Sequence, residues 1–225
     1  MTPVVRRSAL EAAHMALGAR WLADDVRWPD GYSTSDAAAD AAAVAAGAGL
    51  AEIGPFAELL LRGPGALAGT ASLATGGEAA AAIGRALAAD LGGEAGEAWL
   101  LGPDEVLLLG PVSGSWPATL ASRLASDEVS AIEMTGARTA LRLAGPSAAA
   151  ILAELCPSDT TPETTDPGDL IQAPLAGVRA FIARQAAGYT IMVARDEATY
   201  VWDALIHVGT AHGLTPVGPA AVTTR

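Results

Sequence analysis

Among 25 acidic residues and three histidines, only a handful sit where they could do chemistry. Glu97 opens an apolar run directly behind the Gly-rich 92–96 segment, where a backbone could approach a ligand closely. A carboxylate there could reach such a ligand or simply lie on the surface. Glu52 precedes Gly54-Pro55 and could line a groove between domains, whereas Glu105, beside the turn Gly102-Pro103-Asp104, reads as solvated. His14 lies in an expected amphipathic helix with no partner visible in the sequence, and reads as a packing or solvent-edge histidine. His207 and His212 are five apart, poorly spaced for two ligands on one helical face, and read as helix-end histidines. Cys156, followed by Pro157, is the single cysteine and reads as an inert thiol. No G-x-S-x-G, H-E-x-x-H, P-loop or dinucleotide fingerprint is present, and no metal site is expected.

Composition narrows the partners. The chain has 225 residues, enough for one large or two small domains, and 51% of them are hydrophobic but only 4% aromatic. Its core must therefore be aliphatic and alanine-rich. The net charge of −12 argues against nucleic acid and anionic membranes, which require basic patches. No apolar run approaches the roughly 20 residues of a membrane span, and Met1 to Arg7 lacks a secretory core. A lone cysteine excludes a disulfide framework, so a cytoplasmic protein is expected.

The elements that must position these groups follow from periodicity. Leu10, Ala13, Leu17 and Trp21 predict a helix over 8–22, with Ser8 and Glu11 as a capping box. Residues 23–35 read as a loop with a turn at Trp28-Pro29-Asp30-Gly31. A helix from Asp36 to Ala48 and a strand at 49–54 follow. Next come a strand at 57–62, a helix from Pro64, a helix around 77–90, a hairpin of 97–101 with 106–109, and a helix carrying Trp116, Leu120 and Leu124. Strands at 129–134 and 138–143, a helix from Pro146 to Leu155, and a surface-running polar stretch from Cys156 to Asp169 come after. Strands at 170–174, 178–184 and 189–194, a helix at 196–208 and at most a short strand at 214–217 complete the chain.

The chain repeats itself. Leu61-Arg62-Gly63-Pro64 returns as Leu143-Ala144-Gly145-Pro146, 82 positions on, each an apolar strand meeting Gly-Pro and then an alanine-rich stretch. Trp116 is answered by Trp202, 86 positions on. This near-constant offset predicts two copies of one unit. The expected class is α+β: two ferredoxin-like split βαβ units packed by their helices into one body. The expected segments are a helical 1–49, a first unit at 50–128 and a second at 129–225.

In order and spacing these landmarks resemble the folate-binding aminomethyltransferase group, the T-protein of the glycine cleavage system, and within it the gamma-subunit family of heterotetrameric sarcosine oxidase. The stretch Ala9 to Arg20 resembles that group's opening helix, and Leu61-Arg62-Gly63-Pro64 its first Gly-Pro landmark. Leu101 to Leu108 is similar to the gamma-subunit "LGPDEWLL" run, and Leu141 to Ala148 with Cys156 to Asp159 to its "LxGPxA…CPxDL" segment.

The resemblance implies the folate-binding fold without the C-terminal barrel. In the transferases a glutamate in a "GFEIYVP" strand holds the pterin, because a carboxylate can accept its two parallel N–H donors. That strand corresponds to Gly188 to Ala194, which makes Tyr189 and Thr190 the ligand-facing candidates, with Thr190 standing where the glutamate would be. Glu97 is the nearest stand-in for the catalytic aspartate, Val222 falls about where a family arginine lies, and Glu52 is the remaining ligand-binding candidate. Two functions follow. One is an accessory or scaffold subunit of a flavin- and folate-dependent amine-oxidising complex, with flavoprotein chains or further copies as partners. The other is a stand-alone tetrahydrofolate-dependent one-carbon transferase, or another small-molecule enzyme with a rebuilt pocket.

Overall fold

The computed structural model describes residues 6–23, 26–75 and 82–223. The chain enters through a short strand β1 (Arg6–Arg7), a helix α1 (Glu11–Ala16) and two strands, β2 (Ala19–Ala23) and β3 (Val26–Tyr32). The helix expected over 8–22 thus stops after six residues: the chain turns at Gly18, and Trp21 belongs to a strand. The capping box does not form either. Glu11 pairs with Arg7, and the Ser8 hydroxyl accepts from the Leu10 amide at 2.7 Å. The 23–35 segment, expected as a loop, carries β3, which pairs antiparallel with β2 and parallel with β1. Pro29 is tolerated there because β1 reaches only Val26 and Arg27, and the ladder to β2 is irregular around Trp21.

Helix α2 (Ala37–Ala46) starts as expected, with the Asp36 carboxylate accepting from the Ala38 and Ala39 amides at 3.0 and 2.9 Å. Strands β4 (Ala48–Ile53) and β5 (Phe56–Arg62) lead to a short helix α3 (Ala66–Thr70). The expected helix around 77–90 lies partly outside the described residues. Its remainder is strand β6 (Arg85–Asp90), paired along its length with β7 (Ala95–Gly102). The helix propensity of Arg85-Ala86-Leu87-Ala88-Ala89 yields there to a full antiparallel ladder. Then come β8 (Glu105–Pro111), α4 (Trp116–Leu124), β9 (Ser130–Glu133), β10 (Arg138–Ala144), α5 (Ala148–Leu155), β11 (Leu170–Leu175), β12 (Val178–Gln185), β13 (Gly188–Ala194), α6 (Ala198–Gly209), β14 (Leu214–Pro216) and α7 (Pro219–Thr223). The last helix was not expected. Nor is the polar 156–169 stretch wholly on the surface, since Thr160 and Thr165 are buried.

The described residues form two compact units. One draws on Met1–Gly54, Arg138–Pro167 and Ala173–Arg225, the other on Pro55–Ala137 and Gly168–Gln172. The sheet β11-β12-β13-β10-β4-β14 belongs to the first, apart from Leu170–Gln172 of β11, and the sheet β6-β7-β8-β5-β9 to the second. The two orders correspond strand for strand: β6, β7, β8 and β5 stand as β11, β12, β13 and β10 do. The strand beside each central one is exchanged. β4 precedes β5 in the chain yet pairs with β10, while β9 precedes β10 and pairs with β5. This α+β architecture is the one the repeat implied; the edge strand β11 stands where a strand was expected at 170–174, while its counterpart β6 stands where a helix was expected.

The repeated Gly-Pro turns share one local geometry. Gly63 and Gly145 have φ of +131° and +114°, and a Cβ on either would collide with a backbone oxygen, that of Glu128 at 2.0 Å or of Gly47 at 2.6 Å. Only glycine lets the chain leave the strand there. In the second unit Leu59 and Leu61 of β5 point into a core with Val106, Leu108, Trp116 and Leu120. In the first unit one sheet face carries Leu50, Leu141, Leu143 and Ile191, buried with Ile151 and Leu152 of α5 and Trp202 and Leu205 of α6. The opposite face carries Ala51 and Ala144, packed with Val217 and Val222.

Candidate functional site

Glu52 sits on β4 directly opposite Leu141 of β10, on the sheet face away from Ala51. Its carboxylate is buried, the residue being 1% exposed. Oε2 accepts from the Ser8 hydroxyl at 2.5 Å and lies 2.9 Å from His14 Nε2, while the Tyr32 hydroxyl lies 2.9 Å from His14 Nδ1. Trp202 meets the imidazole edge-on at 5.1 Å between centroids. One proton arrangement satisfies every atom in this line: Tyr32 donates to Nδ1, Nε2–H donates to Glu52, and Ser8 donates to the same oxygen. The Tyr32 hydroxyl is held far above its ordinary acidity range, by burial first and then by the negative charges of Glu52 and Asp40. Four side chains from residues 8 to 52 therefore form a closed polar cluster. It fastens the N-terminal strands to β4.

Tyr189 and Thr190 are neighbours on β13 and so project from opposite faces of the sheet. The Tyr189 side chain is buried, its hydroxyl donates to the Thr160 carbonyl at 2.5 Å, and Arg184 lies over its ring at 5.1 Å. Burial raises its hydroxyl pKa, and the Arg184 charge pulls the other way. Thr190 pairs across the ladder with Arg142 of β10, whose Nη1 donates to the Thr190 hydroxyl at 2.8 Å. Arg142 Nε donates to the Val222 carbonyl of α7 at 3.1 Å. The positions standing for the family's glutamate and arginine, Thr190 and Val222, are thus joined by one guanidinium.

Glu97 belongs to the second unit, on β7 between Ala88 of β6 and Leu109 of β8. It is half-buried, and the Trp99 indole N–H, two residues on and on the same face, donates to its Oε2 at 2.7 Å. Glu52, Tyr189 and Thr190 lie in the first unit. Glu105 is half-buried at its turn, His207 is exposed, Cys156 is buried and unpaired, and His212 Nε2 meets Glu154 at 2.6 Å on the surface. Among the described residues no group of three or more His, Cys, Asp or Glu side chains could hold a metal ion.

Two features were not expected from the sequence. Arg142 had a legible signal: a lone cation inside the apolar run Ala140-Leu141-Arg142-Leu143-Ala144 must find acceptors when that strand is buried. The joining of Ser8, His14 and Tyr32 to Glu52 had none, because it spans up to 44 positions.

Residues 10–225 match the GCVT N-terminal domain, and the chain belongs to that family. Two curated relatives stand on either side of the reading above. An aminomethyltransferase of Saccharopolyspora erythraea is 28% identical over 95% of this chain and 60% of its own length. Sarcosine oxidase subunit gamma of an Arthrobacter species is 32% identical over 47% of this chain and 54% of its own. The chain therefore spans little more than half of either relative. Among solved structures, a chain of the heterotetrameric sarcosine oxidase of Corynebacterium sp. U-96 superposes with a TM-score of 0.66 at 26% identity, covering 80% of this chain and 94% of that one. The glycine cleavage aminomethyltransferase T of Bartonella henselae superposes with a TM-score of 0.77 at 22% identity, over 96% of this chain and 60% of that one. This second likeness is one of fold. No helix of the described residues is long and apolar enough to cross a membrane.

Proposed function

We propose that this chain is a gamma-like accessory subunit of a flavin- and folate-dependent amine-oxidising complex. The observation that carries the reading is the likeness to a sarcosine oxidase chain, which extends over 94% of that chain. The site geometry supports it. A catalytic centre needs polar groups that converge on a reacting atom. Here the Glu52 carboxylate is closed into a structural cluster, Tyr189 is bonded to backbone, Thr190 accepts from Arg142, and Glu97 is held by Trp99. Flavin chemistry and substrate oxidation then belong to the partner chains, and this chain contributes surface and stability to their assembly.

The residues present do not fit tetrahydrofolate. Its pterin requires two acceptors held side by side, and the single Thr190 oxygen already takes an arginine N–H. No step through folate is assigned to this chain.

Co-expression with the flavoprotein chains of a sarcosine-type amine oxidase tests the reading. The expected outcome is co-elution of this chain in fixed stoichiometry, with amine-dependent oxygen consumption by the complex and none by the chain alone. Assembly of an active oxidase that leaves this chain behind would overturn it. If the chain alone turned over a small-molecule substrate and Glu97→Gln abolished that turnover, the stand-alone enzyme would replace it.

A further inference from the structure

A guanidinium and the edge of a 2-amino-4-oxopteridine share one chemical feature, a parallel pair of N–H donors. In the first unit one guanidinium N–H already stands at β13, on the Thr190 oxygen. Arg142 faces Thr190 across the ladder, Nη1 reaches the Thr190 hydroxyl at 2.8 Å, and Nε reaches the Val222 carbonyl at 3.1 Å. The other cross-strand neighbours in this row are Ala183 on β12 and Ala51 on β4, which bring no polar side-chain atom. Tyr189 projects to the other face with its hydroxyl on Thr160. The row therefore holds no carboxylate that could take a donor-edged ring. Meanwhile α7 is held at two further points: the Gly218 amide donates to Asp40 Oδ2 at 2.9 Å, and the Val217 amide to the Leu50 carbonyl at 3.0 Å.

We infer that Arg142 occupies from within the chain the one acceptor that Thr190 would offer a pterin, closing the Thr190 position to tetrahydrofolate and using the same guanidinium to fasten α7 to the sheet. The inference rests on the resemblance that puts Thr190 where the family's glutamate would be and on these contacts, and it stands whether or not the chain joins an oxidase.

Calorimetric titration of the full chain with 5-formyltetrahydrofolate supplies the first test. No saturable binding is expected up to about 1 mM ligand. Thr190→Glu should not create binding either, because Arg142 takes the new carboxylate. Saturable binding by the native chain, or by Thr190→Glu with Arg142 in place, would overturn the inference. The second test is hydrogen exchange in Arg142→Met. The Val217, Gly218 and Ala221 amides, all bonded in the native fold, should exchange roughly tenfold faster, while amides of β7 and β8 keep their rates. If that variant does not fold, Arg142→Lys serves, since an ammonium lacks the fork needed to hold both oxygens. Unchanged exchange around α7 in the variant that folds would show that Arg142 is not the fastening.

Discussion

Glu52 illustrates how burial changes what a carboxylate means. On the sequence it could line a groove; in the fold it accepts from Ser8 and faces His14, with every partner inside the first unit. Glu52→Ala would leave a buried hydroxyl and a buried imidazole without their acceptor, at a cost of about 1–3 kcal/mol for each. Denaturant unfolding of the variant measures this, and a loss under about 1 kcal/mol would mean the cluster is not structural. Tyr32 gives a pH-dependent counterpart. An unfolded tyrosine ionises near its ordinary value of 10.0, whereas in the fold burial and neighbouring carboxylates keep the proton on to higher pH. The unfolded state then loses the proton first. Stability is fully present below about 10 and declines as pH rises past it toward the folded value. Urea midpoints at successive alkaline pH values should fall, and Tyr32→Phe should shallow that fall, with Tyr189 supplying the remainder because its own pKa is also raised.

At the level of elements, the two Gly-Pro turns make a sharper prediction than any strand. Gly63→Ala and Gly145→Ala would each place a Cβ against a backbone oxygen at positive φ, at an expected cost of about 1–3 kcal/mol apiece. Matching losses in thermal unfolding would support a shared turn inherited by both copies. A neutral result at either site would break the equivalence. These turns were readable because Gly-Pro after an apolar run is a local signal. So were α2, through the Asp36 cap, and the β7–β8 hairpin, through Gly102-Pro103-Asp104. β6 and β3 were not. Arg85–Asp90 has helix-forming residues and becomes a strand because β7 offers a complete ladder, and β3 hides behind Pro29 and Gly31. The exchanged strands β4 and β9 were recognised as strands, but their partners across the sheet were not.

Across the whole molecule, the −12 charge repels itself wherever the chain is compact. Moderate salt should therefore raise the thermal midpoint by screening within roughly 10 Å, and a midpoint that fell with salt would point instead to ion pairs as the dominant electrostatics. In the second unit Leu120 is fully buried in the aliphatic core. Leu120→Ala should cost about 2–5 kcal/mol, read as faster hydrogen exchange across β5 and β8.

Local chemistry was enough to read the class of the fold, the duplication, the turn positions and the family, since each rests on patterns a few residues long or on their order along the chain. The hydrogen-bond partners of the candidate residues were set at long range. Thr190 meets Arg142 across 48 positions, Ser8 meets Glu52 across 44, and Tyr189 meets Thr160 across 29. A polar side chain is a ligand group only if nothing inside the protein satisfies it first. Which groups meet which is decided when the strands choose their neighbours, and no local spacing encodes that choice.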